Sequence, residues 1–139
     1  MYSKILVPVD LAHADKLEKA LQTAADLAKK YAAPVAYVGV TSPQPGPVAH
    51  TPEEFGQKLE TFAARQTAAN GHVAEAHMVV AHDPAVDLNK VLIDAIDEVG
   101  ADLVVMASHV PGVADYIWPS HGGQVAGHAK ASVFVVRPE

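Results

Sequence analysis

The sequence predicts a doubly wound α/β fold: a five-stranded parallel sheet with helices on both faces. Three observations carry that prediction. Short, unbroken apolar runs such as Ile5–Val9, Val35–Val40 and Leu103–Ala107 suit strands buried on both faces. Stretches of helical periodicity separate them. The strict alternation of the two patterns calls for crossover connections, and hence for parallel, right-handed β-α-β units.

The elements follow in order. Ile5 to Val9 is an apolar run closed by Asp10, and Pro8, which has no amide hydrogen, ends the strand at about that point. From Asp15 to Tyr31, Leu17, Ala20, Leu21, Ala24, Leu27, Ala28 and Tyr31 recur at helical spacing, giving an amphipathic helix. Pro34 precedes a second strand, Val35 to Val40. The next stretch, Thr41 to Pro47, carries Pro43, Pro45 and Pro47 and is read as a loop, because proline fixes φ and removes donors.

Thr51-Pro52-Glu53-Glu54 is a helix start: Thr51 caps, Pro52 takes the first helical position and the acids face the positive end. That helix runs to about Asn70-Gly71. A third strand spans roughly Ala74 to Val80. A helix from Ala85 or Val86 reaches Val99 and is closed by Gly100. Leu103–Ala107 and Val133–Val136 form the last two strands, separated by a loop and a short helix of about His121 to His128.

Composition narrows the function. With 139 residues, half of them hydrophobic, the chain has room for one domain with a sizeable core, read as 1–139. A formal charge of −6 argues against nucleic acid as a partner. The absence of cysteine excludes disulfides, thiolate catalysis and thiolate metal sites, and fits a reducing cytoplasm. The start, Met1-Tyr2-Ser3-Lys4, lacks a signal-peptide pattern, and no apolar run approaches the ~20 residues that span a bilayer. A cytoplasmic protein without membrane insertion is expected.

In a doubly wound sheet, ligands bind outside the carboxyl ends of the strands, where strand order reverses. Those ends are Val9-Asp10, Val40-Thr41, Ala81-His82-Asp83 and Ser108-His109. The segment from Ala107 to Gly123 is polar and broken, and it leads into the expected short helix, whose first amides suit an anion. Ser120 is read either as a plain helix cap or as a phosphate contact. Asp10 is read either as a ribose contact or as the cap of the turn that follows it.

Four segments resemble the universal stress protein family. They are Ile5-Leu6-Val7-Pro8-Val9-Asp10; the Asp83-Pro84-Ala85 turn; Ala101 through His109; and the ending from Val125 through Ala129-Lys130-Ala131-Ser132-Val133-Phe134-Val135-Val136-Arg137. The likeness covers essentially the whole chain. The Ser-His-x-Pro loop followed by Asp115-Tyr116-Ile117 is similar to a subgroup with a shortened, glycine-depleted loop.

The resemblance implies strand order 3-2-1-4-5 and an adenine nucleotide as ligand: ATP with Mg or Mn, or else ADP or AMP. Many relatives hold ATP with a G-x-x-G-x9-G-[S/T] motif. Transferred residue by residue, its glycines fall on Ala107, Val110 and Pro119 and its hydroxyl on Ser120, so this sequence departs at all three glycines. Pro119 also lacks the amide a phosphate would take. Asp10, after Val9, matches the position meeting the ribose or adenine side, and Val40 one offering backbone groups to adenine. Ser108, His109 and His121 complete the set of expected binding residues. The resemblance further implies a homodimer, or a tetramer, joined through the fifth strand.

Eight histidines raise the question of a metal, but His121 and His128 stand two helical turns apart, too far for one ion, and no metal site is expected. No catalytic residue is expected either. There is no nucleophile elbow or Walker loop, and no lysine or arginine lies between Ala107 and Ser120, so any ATP hydrolysis is slow. The leading expectation is an ATP-binding regulatory protein of the stress response. The alternative is a nucleotide-free adaptor acting on a regulatory protein partner, and a slow ATP hydrolase comes third.

Overall fold

The structure is a computed structural model that describes residues 1–108 and 130–137, and for residues 84–87 the backbone alone. In chain order the elements are β1 (Ile5–Pro8), a 3-10 helix (Leu11–Leu17), α1 (Glu18–Tyr31), β2 (Val35–Thr41) and α2 (Pro52–Asn70). Then come β3 (Ala74–Val80), α3 (Pro84–Val99), β4 (Leu103–Ala107) and β5 (Ser132–Val136). The sheet is parallel throughout, in the order β3-β2-β1-β4-β5. The short helix expected over His121–His128 lies outside the described residues.

Alternation along β1 divides its residues between two layers. Ile5, Val7 and Val9 pack with α1 and α2, through Leu21, Ala24, Phe55 and Leu59. Leu6 faces the other way and packs with Val38, Val104 and Met106 against Leu88, Leu92 and Ile96 of α3. All of these strand residues are almost completely buried, which is why the strands read as continuous apolar runs.

Pro8 shapes the sheet where the strand order reverses. The Ile5 amide donates to Pro34 O at 3.0 Å and the Val9 amide to Val38 O at 2.9 Å, so odd-numbered amides of β1 serve β2. Even-numbered positions therefore face β4, and there Pro8 has no hydrogen to give. Pairing runs from Ile5 to Pro8 along β2 but covers only Ile5 and Leu6 along β4. The two strands thus part company at their carboxyl ends.

The helix expected from Asp15 begins differently. A 3-10 segment runs first, with a non-helical His13 at φ −132° and ψ 31°, and regular α-helix starts only at Glu18. The cause is Asp10, whose carboxylate accepts from the Ala12 amide at 3.0 Å and so tightens the chain directly after β1. The predicted apolar face is buried through Ala20, Leu21, Ala24 and Ala28, and Ala25 joins it. Ala32 closes α1 in the left-handed conformation, φ 53°.

α2 begins as its sequence predicts. Thr51 Oγ1 accepts from the Glu54 amide at 3.1 Å, with Pro52 in the first turn. Its close approach to the sheet depends on Gly39: a Cβ there would stand 2.8 Å from Phe55 Cε1 and 3.1 Å from Leu59 Cδ2.

Among the described residues, no helix is long and apolar enough to cross a membrane.

Candidate functional site

At the carboxyl ends of β1 and β2, the described residues enclose a cavity of about 420 Å³. Val9 and Asp10, continuing into Leu11 and Ala12, line it from the end of β1, and Val40, Thr41 and Ser42 from the end of β2. The loop after β2 forms a wall through Gln44, Gly46, Pro47, Val48 and Ala49. Phe55 of α2 and Leu88 of α3 add apolar surface from the two layers, and Asp83 stands at the edge.

That loop is fastened at several points. Ser42 Oγ accepts from the Gln44 amide at 3.3 Å, and the Gly46 amide donates to Ala49 O at 3.0 Å. Lys58 Nζ donates to the Val48 carbonyl and pairs with Glu54 Oε1 at 3.2 Å. The Lys58 hydrogen bond holds the Glu54 carboxyl below its ordinary range, against the upward push of desolvation. The prolines limit the loop's freedom, so the wall is largely formed before any ligand arrives.

Asp10 serves two ends at once. One carboxylate oxygen caps the 3-10 helix, and the other lies 3.1 Å from His13 Nδ1. The side chain is 15% exposed and forms part of the cavity lining. A carboxylate has about four lone-pair sites, so these bonds orient the group and leave acceptor capacity toward the cavity. The capping role and the ligand-facing role are therefore compatible.

The other expected residues divide sharply. Val9 and Val40 line the cavity with Asp10. Ala107 ends β4, and Ser108 follows it with its amide donated to Val136 O at 2.8 Å, so that amide is already committed within the sheet. Neither is part of the lining described above. The buried Ser108 Oγ has no hydrogen-bond partner among the described residues. His109, Val110, Pro119, Ser120 and His121 lie outside the described residues. Among the described residues, no three histidine, aspartate or glutamate side chains converge in a metal-binding group.

Several lining residues escape the sequence reading. Phe55 and Leu88 come from helices far apart in the chain, and only the fold brings them together, whereas Asp83 stands at a strand end that the sequence marks as ligand-facing. Pro47, Val48 and Ala49 belong to a segment that reads merely as proline-rich. Its signal was position, since a long loop leaving the carboxyl edge of a parallel sheet is where such folds carry their sites.

The profile of the universal stress protein family matches residues 1–137. The chain belongs to the universal stress protein family. Among solved structures, the universal stress protein from Archaeoglobus fulgidus is 26% identical, with a TM-score of 0.66 over 97% of this chain and 98% of that one. The protein from the same organism in complex with dAMP is 25% identical, TM-score 0.65, covering 96% and 97% of the two chains. A universal stress protein in complex with cAMP shares the fold at 22% identity, TM-score 0.70, over 99% of each chain. Comparison with curated proteins yields no match. The sheet order of this chain, 3-2-1-4-5 with the first strand at its centre, is the one the resemblance implies.

Proposed function

We propose that this universal stress protein binds an adenine nucleotide in the cavity at the ends of β1 and β2, and acts as a regulatory protein through its bound state. One observation carries the reading: Val9, Asp10 and Val40, which family resemblance assigns to the nucleotide, all line one cavity at the carboxyl ends of β1 and β2, on the β2 side of the central strand next to which strand order reverses. The lining is apolar at Val40, Val48 and Phe55, which suits a base. Its polar rim of Asp10, Thr41 and Ser42 suits ribose hydroxyls and ring nitrogens. The Archaeoglobus fulgidus relative in complex with dAMP supports the same class of ligand.

ATP with Mg or Mn, ADP and AMP all belong to that class. The role is one of binding, with hydrolysis at most slow. A cysteine-free chain of this kind suits the cytoplasm. The reading includes a homodimer or tetramer through β5, whose Phe134 and Val135 are 46% and 39% exposed on a sheet edge that is unpaired among the described residues.

A specific observation favours a second reading, that of a nucleotide-free adaptor for a regulatory protein partner. Ala107, Val110 and Pro119 replace the three glycines of the family's phosphate motif. Mass spectrometry of small molecules released from the purified, denatured protein separates the two. A stoichiometric adenine nucleotide supports the first reading. A ligand-free protein that also fails to bind added AMP, adenosine or ATP supports the second.

A further inference from the structure

The cavity is acidic at its rim. Asp10 and Asp83 both line it, and the described lining contains no lysine or arginine. Asp83 stands at the N-cap position of α3, yet its side chain makes no capping bond there. It is exposed, its carboxylate is acceptor-only, and it already supplies the negative charge that a helix start attracts. Lys58 and Arg65 line an adjoining recess and not this cavity. Lys58 is bound to Val48 O and Glu54.

The chain offers little positive charge further along. The sequence from Ala107 to Ala129 contains no lysine or arginine, and the Ser108 amide is taken by Val136 O. Phosphate oxygens are ordinarily held by cations or by free amides, and each added phosphate adds negative charge that must be matched. The whole chain carries −6, which compounds the mismatch.

We infer that this site selects its ligand by low phosphate charge, taking an adenine nucleoside or nucleoside monophosphate in preference to the triphosphate, with Asp83 as a specificity-determining residue. The inference rests on the adenine-nucleotide reading above and narrows it. The base and ribose find apolar walls and carboxylate acceptors, whereas a triphosphate adds negative charge to a cavity whose described lining holds two carboxylates and no cation. A divalent ion carried in with ATP reduces the difference by screening that charge.

Calorimetric titration of the full chain with adenosine, AMP and ATP, each in buffer containing a chelator, tests this. AMP is expected to bind at least about tenfold more tightly than ATP, which is about 1.4 kcal/mol. Asp83→Asn, at an exposed position, is expected to narrow the AMP-to-ATP ratio by about threefold or more. ATP binding as tightly as AMP, or a ratio unchanged in a folded Asp83→Asn variant, overturns the inference and leaves nucleotide binding standing. If none of the three compounds binds, the adenine-nucleotide reading falls and the inference falls with it.

Discussion

The Tyr37 hydroxyl lies 2.8 Å from Nε2 of His72, inside the layer between the sheet and α2. Tyr37 is completely buried and His72 is 4% exposed. The Phe62 ring stands edge-on to Tyr37 at a centroid distance of 5.4 Å, so the polar pair is sealed by aromatic surface. Burial pushes the Tyr37 hydroxyl above its ordinary range. Burial, and then the positive charge of Lys29, push the His72 imidazole below its ordinary range.

Stability should consequently fall as the pH drops below about 6.5, the ordinary histidine value. Above that value both folded and unfolded states hold His72 neutral, and its contribution is complete. Below it the unfolded chain takes up a proton that the folded chain refuses, because burial, and then the positive charge of Lys29, disfavour the imidazolium. Denaturant titrations at about pH 7.5 and 5.5 measure the loss. His72→Phe should flatten it, and Tyr37→Phe should lower stability at neutral pH by about 1–2 kcal/mol by stripping His72 of its partner.

Gly39→Ala should destabilise the protein by about 1–3 kcal/mol, since the added methyl meets Phe55 at 2.8 Å. Phe55 also lines the cavity, so the same substitution should weaken AMP binding. Thermal unfolding with parallel AMP titration reads both. Wild-type values for stability and affinity in the variant would mean that α2 moves away from the sheet without consequence.

Asp102 knits the amino-terminal ends of the central strands. Its carboxylate accepts from the Ser3 amide and hydroxyl and from the Lys4 amide at 2.9–3.1 Å. Desolvation raises its pKa, but these bonds together outweigh that effect and hold it below the ordinary value. Its stabilisation is present above about pH 3.8 and disappears as acid takes the carboxylate through its lowered pKa. Asp102→Ala should cost about 1–3 kcal/mol at neutral pH and progressively less in acid, as measured by denaturant titration. A cost independent of pH would contradict this account.

β5 should be the association surface. Phe134 and Val135 are neighbours on a strand, so they expose apolar area on both faces of an edge that, among the described residues, lacks a partner strand on one side. Val135→Lys should convert a dimer to monomer in sedimentation equilibrium at micromolar concentration. A wild-type monomer under those conditions would reject the interface.

What the sequence made legible follows from how local each signal was. Ala74–Val80 and the Thr51-Pro52 helix start are set by neighbouring residues, and the structure matches them at those residues. The start of the first helix was misjudged because periodicity from Asp15 onward does not register the Asp10 cap that draws the chain into a 3-10 turn at Leu11. Gly39 did carry a readable signal, a lone glycine within an apolar strand, which marks close backbone approach. Asp10, Val9 and Val40 were legible through their positions at strand ends. Asp83 was legible in the same way, whereas Phe55 and Leu88 were not, because their roles depend on how the two helical layers close over the sheet edge.

The most direct test of the central claim is backbone chemical-shift perturbation of the full chain on titration with AMP. The account predicts shifts concentrated at Asp10, Val40, Thr41, Val48 and Phe55, with Ser3, Lys4 and Asp102 at the opposite end of the sheet unmoved. Shifts confined to Ser3, Lys4 and Asp102, or no shifts at saturating AMP, would contradict it.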